Sequence, residues 1–275
     1  MLKRTISGAF FIAIITAFFF LREIHVALFN VLIWFFCALG TFEVARAVKG
    51  RINKYQFITA IVSGCLLIPI YSLTNYVLWI GNGFAVAFGL IAFCCVLSLV
   101  FGKNKSLYYG VLPIIYPSIF CVIMALCNHL NSPFGLIALL LTFVISPCCD
   151  TFAYLVGMAY SKIKKGNVKK LCPKLSPKKT WAGAIGGVVG GIAGAMVLYL
   201  IFKNTVSLDW WLYLIMGALA SVLTQIGDLF ESGIKRSVGI KDMGKIMPGH
   251  GGVMDRIDGI VFATVFVYLI FLAVV

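Results

Sequence analysis

The chain has 275 residues, of which 61% are hydrophobic and 12% are charged, with a net charge of +14. Several apolar runs of about 18 or more residues are each long enough to cross a bilayer as a helix, so a soluble globular protein is excluded. The positive charge does not indicate nucleic-acid binding, because the basic residues are not interleaved with stacking aromatic residues on a soluble surface. The expected fold class is all-α, a polytopic integral membrane protein.

The hydrophobic pattern predicts nine membrane-spanning helices. The first follows Lys3 and Arg4 and lacks the small-residue cleavage pattern of a signal peptide, so it is interpreted as a retained helix. The predicted spans are residues 4–21, 25–47, 55–73, 82–101, 107–127, 133–160, 181–202, 210–233 and 256–275.

The distribution of Lys and Arg between alternate connections predicts the orientation of these spans. One side of the membrane receives 21 of the 23 cations, and the other receives Arg22 and Lys203. An excess of Lys and Arg marks the cytoplasmic side. The N-terminus is therefore expected in the cytoplasm and the C-terminus outside.

Two regions are expected, with N-terminal transmembrane helices at residues 1–130 and a catalytic transmembrane region at residues 131–275. The second region carries two longer cytoplasmic loops, at residues 161–180 and 234–255. The first loop has eight lysines, which either signal topology and attract anionic headgroups or contact phosphate. For its last five residues, Ser176 to Thr180, a phosphate contact is favoured.

The seventh predicted span is rich in glycine. Gly183, Gly187 and Gly191 recur every four residues, and Gly186, Gly190 and Gly194 form a neighbouring stripe. Small residues at this spacing let helix backbones approach closely in lipid, so packing is favoured over a nucleotide-binding loop. Neither a P-loop motif nor a strand-associated Rossmann motif is present in the sequence.

Five of the nine acidic residues lie inside predicted spans, one of them, Asp258, at the very start of the ninth. An ionisable residue within a span is unfavourable and usually marks a partner, a pathway or a site. Glu43 is either a buried site residue or, as the spacing slightly favours, a partner of Arg46. Asp150 lies in the sixth span, and Asp228 and Glu231 in the eighth. For Asp228, a site role is favoured over pairing with Lys235 or Arg236.

The segment from Ser232 to Asp258 concentrates polar residues between two apolar spans. It holds five cations, three carboxylates and a Pro-Gly-His-Gly-Gly turn. Asp255 and Asp258 stand where the ninth helix begins, a position that acidic residues also prefer for helix stability alone. The glycines followed by a helix N-terminus predict a backbone cradle for phosphate.

This inventory is typical of a site for a metal and a polyphosphate, because Mg²⁺ is usually bound by one or two carboxylates plus phosphate oxygens. We expect Asp228 and Asp255 to converge on one or two divalent cations, with nearby Lys and Arg holding phosphates, an arrangement suited to phosphoryl transfer. The rival interpretation is a secondary transporter of an anionic solute. It is disfavoured because the acids cluster toward one membrane face and the sequence shows no paired halves.

The spacing Ser232-x2-Lys235-Arg236-x4-Lys241-Asp242, followed by residues 248–258 as PGHGGVMDRID, resembles the signature of phosphatidate cytidylyltransferases, the CDP-diglyceride synthetases. The resemblance extends upstream through residues 176–180, 225–228 and Asp150. It departs at Ala182, where many members carry Glu or Gln. It covers the C-terminal half in detail, whereas the N-terminal half matches only as apolar spans with Glu43.

The resemblance implies an enzyme of the cell membrane that joins CTP to phosphatidic acid, releases pyrophosphate, requires Mg²⁺ and forms a homodimer. It implies Asp228 and Asp255 as metal ligands, with Asp258 and Asp150 as additional carboxylates. Arg256 and Lys235 join these two ligands as candidate catalytic residues. The residues implied to bind substrate phosphate are Ser176, Lys178, Lys179, Thr180, Arg236, Lys241, His250, Gly251 and Gly252.

Overall fold

A computed structural model describes residues 2–77, 83–102, 107–247, 249 and 251–274. Within these residues, nine helices are long and apolar enough to cross a membrane, which confirms the all-α polytopic prediction. The helices are α1 (Leu2–Ile24), α2 (Val26–Ala47), α3 (Lys54–Ser72), α4 (Gly83–Val100), α5 (Leu107–His129), α6 (Phe134–Ile163), α7 (Trp181–Phe202), α8 (Trp210–Ser237) and α9 (Met254–Val274).

The two longer loops differ from the sequence prediction in local detail. The first contains an antiparallel hairpin of β1 (Lys170–Cys172) and β2 (Ser176–Thr180), which leads directly into α7. The second begins later than predicted, because α8 continues to Ser237 and places Lys235 and Arg236 in its last turn. Basic side chains at the C-terminal end of a helix are favoured by the helix dipole, which accounts for the extra turn.

The chain divides into two compact units. The N-terminal unit comprises Met1–His129 and Val238–Ile257, and the C-terminal unit comprises Leu130–Ser237 and Asp258–Val275. In the N-terminal unit α2 packs against α3 and α5, and in the C-terminal unit α7 packs against α6 and α8. The segment that follows α8 therefore belongs to the same unit as α2.

A buried polar network lies at one end of the N-terminal unit. Arg22 is only 4% exposed, and its Nε donates a hydrogen bond of 2.8 Å to Asn128 Oδ1. Asn128 Nδ2 in turn donates to Asn30 Oδ1 at 2.9 Å, and Asn30 Nδ2 donates to Ser72 Oγ. This chain of hydrogen bonds links α1, α2, α3 and α5, and it gives the buried polar groups their partners. Arg22 thus has a structural role in addition to its contribution to the charge distribution across the membrane.

The glycine stripes of α7 are packing surfaces within the C-terminal unit, as predicted. A Cβ atom at Gly186 would come within 2.6 Å of Val156 Cβ, and one at Gly190 within 2.5 Å of Phe152 Cβ. Gly191 faces Ser221 of α8 in the same way. The missing side chains let α6 and α8 approach α7 closely, because larger residues would force the helices apart.

Thr180 connects the hairpin to α7 as the N-cap of this helix. Its Oγ1 accepts a hydrogen bond of 3.0 Å from Gly183 N, and the residue is buried. Replacing a Thr N-cap by Ala typically costs about 1 kcal/mol, so we expect Thr180→Ala to lower the melting temperature of the protein in detergent. Thr180→Ser keeps the capping oxygen and should melt close to the wild type. Equal melting temperatures for the Ala and Ser variants would contradict the capping role.

Candidate active site

A cavity of about 390 Å³ in the C-terminal unit contains predicted site residues from three separate stretches of the chain. Its lining includes Asp150 of α6, Asp228 of α8, and Lys178, Lys179 and Thr180 of β2. The hairpin makes this possible, because β2 brings its basic side chains beside the α6–α7 pair before the chain enters α7. Two lysines and two carboxylates thus border one concave space.

An ion pair joins the two sides of this cavity. Lys179 Nζ lies 2.5 Å from Asp228 Oδ2, and the two side chains are 24% and 33% exposed. Ser232 Oγ donates a hydrogen bond of 3.3 Å to the other oxygen, Asp228 Oδ1. The cation paired with Asp228 thus comes from β2, outside α8, whereas the alternative considered in the sequence named only Lys235 and Arg236.

A second pair lies one turn further along α8. Lys235 Nζ donates to Glu231 Oε2 at 3.0 Å, and the Glu231 side chain is fully buried. Lys235, on the next turn of α8, offsets the negative charge of the buried Glu231 carboxylate. A buried charge without such a partner would be strongly destabilising. Lys235, expected to be a catalytic residue, is therefore bonded to Glu231. Asp258 of α9 lies in the same unit, and its Oδ1 accepts a hydrogen bond of 2.8 Å from Gly259 N.

The sequence did not assign roles to two further residues of the cavity wall, Gln225 and Tyr154. Gln225 Nε2 donates a hydrogen bond of 3.1 Å to the carbonyl oxygen of Ala184, which fixes the side chain between α7 and α8. Gln225 belongs to residues 225–228, which carry part of the family resemblance, so the sequence could have indicated it as a site residue. For Tyr154, in an apolar helical run, the sequence gives no signal.

In the N-terminal unit, Asp255 closes the loop between α8 and α9. Its Oδ2 accepts hydrogen bonds from Met243 N at 2.9 Å and from Gly252 N at 2.8 Å. Gly251 has a φ of +84°, a left-handed conformation that glycine adopts readily. The carboxylate predicted to bind metal thus also ties the two ends of this loop together.

Glu43 occupies the N-terminus of α9. Its Oε1 accepts from Val253 N at 3.0 Å and its Oε2 from Met254 N at 2.8 Å, and the residue is 1% exposed. The favoured pairing with Arg46 is therefore corrected in favour of the buried alternative. The amides of Gly252, Val253 and Met254, expected to form part of a phosphate cradle, donate to carboxylates here, while the rest of the expected cradle stays a prediction. The physical reason is that the first amides of a helix need acceptors, which Glu43 provides.

The remaining predicted residues are distributed over both units. A second cavity of about 400 Å³ in the N-terminal unit is lined by Lys241, Asp242, Lys245 and Arg46, the last of which the sequence did not suggest as a binding residue. Arg256 and Arg236 are exposed, whereas His250 lies outside the described residues. Asp228 and Asp255 belong to different units, so their joint metal site stays a prediction.

The donor chemistry of the C-terminal cavity fits a hard cation. Among the residues that the structure describes, no three His, Cys, Asp or Glu side chains form a group that could hold a metal by themselves. Mg²⁺ does not require such a group, because it is commonly held by one or two carboxylates, water and substrate phosphates. Asp228 and Asp150 supply two carboxylates to this cavity, which matches the number that such a site needs from the protein.

The nine apolar helices of the described residues define a polytopic membrane protein, and the cavity of carboxylates and lysines in its C-terminal unit is a candidate site for phosphate chemistry. The chain belongs to the cytidylyltransferase family, whose model matches residues 2–274. This match confirms the resemblance seen in the C-terminal motifs and extends it across the N-terminal half.

Bacterial relatives narrow the class further. The phosphatidate cytidylyltransferase of Brucella abortus is 32% identical over 196 residues, which cover 71% of this chain and 69% of the relative. The enzyme of the same name from Staphylococcus saprophyticus is 37% identical over 128 residues, covering 46% of each chain. That of Mycobacterium tuberculosis is 34% identical over 158 residues, covering 57% of this chain and 44% of the relative.

Proposed function

We propose that this protein transfers the cytidylyl group of CTP to phosphatidic acid, giving CDP-diacylglycerol and pyrophosphate for phospholipid biosynthesis. The observation that carries the proposal is the family match over nearly the whole chain, together with relatives named for this reaction. The transporter interpretation is not favoured, because the family and these relatives are nucleotidyltransferases. The bacterial relatives indicate the cell membrane as the location.

The reaction needs positioning and charge neutralisation more than covalent help from the protein. An oxygen of the lipid phosphate forms a bond to the α-phosphorus of CTP, and the bond from that phosphorus to the bridging oxygen of pyrophosphate breaks. No general base is required, because a phosphate monoester is largely ionised near neutrality. Lys178 and Lys179, which border the cavity with Asp228, are suited to offset the negative charge of the phosphates.

Magnesium is part of the proposal. Asp228 and Asp255 would hold it, with Asp258 and Asp150 as additional carboxylates, and their oxygen atoms are the donors that Mg²⁺ prefers. When bound, the ion would neutralise charge that develops on the transferring phosphoryl group. The protein residues would orient the two anionic substrates beside it.

The proposed site faces the cytoplasm, where CTP is available, and the N-terminus lies on the same side. The support is the excess of Lys and Arg on one set of connections, including the loop that carries β2. The phosphatidic acid would remain in the bilayer while its headgroup reaches the site. The homodimer also stays a proposal, since the glycine stripes of α7 pack within the chain.

The direct test is incorporation of CTP labelled at the α-phosphate into lipid by the purified protein in mixed micelles. We expect chloroform-soluble label that requires phosphatidic acid, disappears with excess EDTA and returns with Mg²⁺. Label at the γ-phosphate should appear as pyrophosphate and stay in the aqueous phase. Wild-type protein that gives no labelled lipid under these conditions would refute the proposal, and activity that survives EDTA would refute the metal requirement alone.

A further inference from the structure

The start of α9 is fastened by a carboxylate from a distant part of the chain. Glu43, in the last turns of α2, accepts hydrogen bonds from Val253 N and Met254 N, one with each of its oxygens. The first amides of a helix have no acceptor within their own helix, so an external carboxylate satisfies both their hydrogen bonding and the helix dipole. Glu43 therefore acts as a cap supplied by another helix.

Two glycines give Glu43 access to this backbone. A Cβ atom at Gly252 would lie 2.5 Å from both carboxylate oxygens, and one at Gly244 would also collide with Oε1. Real Cβ atoms do not approach oxygen this closely, so a side chain at either position would push the carboxylate away from the amides. The enclosure leaves Glu43 1% exposed, and the two bonds hold it in one orientation.

The anchored segment leads directly into Asp255. Gly252 N donates to Asp255 Oδ2, while the next two amides donate to Glu43. Met243 N, from the other end of the loop, donates to the same oxygen of Asp255. Two carboxylates thus bind four backbone amides within one short region. The direction of the Asp255 side chain follows from the path of the backbone that Glu43 fixes.

We propose that Glu43 is a positioning residue for nucleotidyl transfer, which holds the start of α9 so that Asp255 keeps its orientation for Mg²⁺ and CTP. This inference rests on the proposed function. It gives a residue of the N-terminal half a role in the reaction, whereas the sequence motifs lie in the C-terminal half. Glu43 acts through the backbone and Asp255 and does not touch substrate.

The test compares Glu43→Gln with Glu23→Gln as a matched control. Glutamine has nearly the same shape but offers one acceptor oxygen, so one of the two amides loses its bond. Glu23 is a carboxylate in α1 whose side chain is 62% exposed, and its loss should leave turnover unchanged. For Glu43→Gln we expect kcat to fall at least about tenfold and the Mg²⁺ concentration for half-maximal activity to rise, as for losses of groups that orient metal ligands.

Hydrogen exchange supplies a readout that does not depend on activity. In Glu43→Gln, the amides of the peptide that spans residues 251–257 should exchange faster than in the wild type, whereas those of α6 should not change. Gly252→Ala, which crowds the carboxylate without altering its charge, should reproduce both the faster exchange and the change in Mg²⁺ requirement. If both variants show faster exchange at residues 251–257 and a higher Mg²⁺ requirement, the result supports a role of Glu43 in positioning Asp255 through the backbone.

The outcomes separate the inference from the function on which it rests. Wild-type protein without labelled lipid would refute the proposed function, while exchange at residues 251–257 would still test the anchoring. An active wild type with unchanged kcat and Mg²⁺ requirement in Glu43→Gln would overturn the positioning role alone. A variant with a lower melting temperature but normal turnover per folded molecule would also overturn it, because Glu43 would then only stabilise the fold.

Discussion

Replacement of Asp255 by asparagine is expected to lower CTP-dependent turnover about a thousandfold while the protein remains folded. Loss of metal-based charge stabilisation is worth several kcal/mol, and each 1.36 kcal/mol is a factor of ten in rate. The amide oxygen of asparagine can still accept the bonds from Met243 N and Gly252 N, so the loop should keep its shape. The variant lacks the negative charge and one oxygen that the proposed Mg²⁺ ligand supplies.

The measurement is labelled-lipid formation by Asp255→Asn, with folding checked by size-exclusion chromatography and thermal melting in detergent. Asp209→Asn is the control, because Asp209 is exposed and its Oδ2 accepts only a local bond from Trp211 Nε1 among the contacts described. The control should retain full activity. Turnover near the wild-type level in a folded Asp255→Asn protein would refute the assignment of Asp255.

The second large effect is expected at the ion pair between Lys179 and Asp228. Lys179→Met should lower kcat/KM about a hundredfold, since removal of one preorganised group that stabilises transition-state charge costs roughly 3 kcal/mol. Lys203→Met is the control, because Lys203 is an exposed lysine that follows α7 and does not line the cavity. The control should match the wild type.

A double-mutant cycle with Asp228→Asn tests whether these two residues act as a unit. Because Lys179 Nζ and Asp228 Oδ2 are 2.5 Å apart, the double variant should lose less activity than the sum of the two single losses in free energy. A coupling energy below about 0.5 kcal/mol would show that the two residues contribute independently. Lys179 would then be a phosphate contact whose proximity to Asp228 has no catalytic consequence.

The sequence identified several cavity residues before their surroundings were known. Asp150 and Asp228 stood out because a carboxylate inside an apolar span needs a reason, and Lys179 stood out through its motif. Lys179 reaches the cavity that Asp150 and Asp228 line because it lies on the hairpin, which the sequence did not predict. Strands of three and five residues in a lysine-rich loop carry too little periodicity to be recognised.

The sequence by itself determined the nine apolar helices of the described chain, because length and hydropathy are local properties and a bilayer requires long apolar helices. Tertiary structure alone decided which groups the carboxylates meet. Asp228 bonds to a lysine from a different stretch, and Glu43 bonds to amides more than 200 positions away along the chain. Such partners are selected by helix packing and by the space that glycines leave, and neither is encoded in the spacing of neighbouring residues.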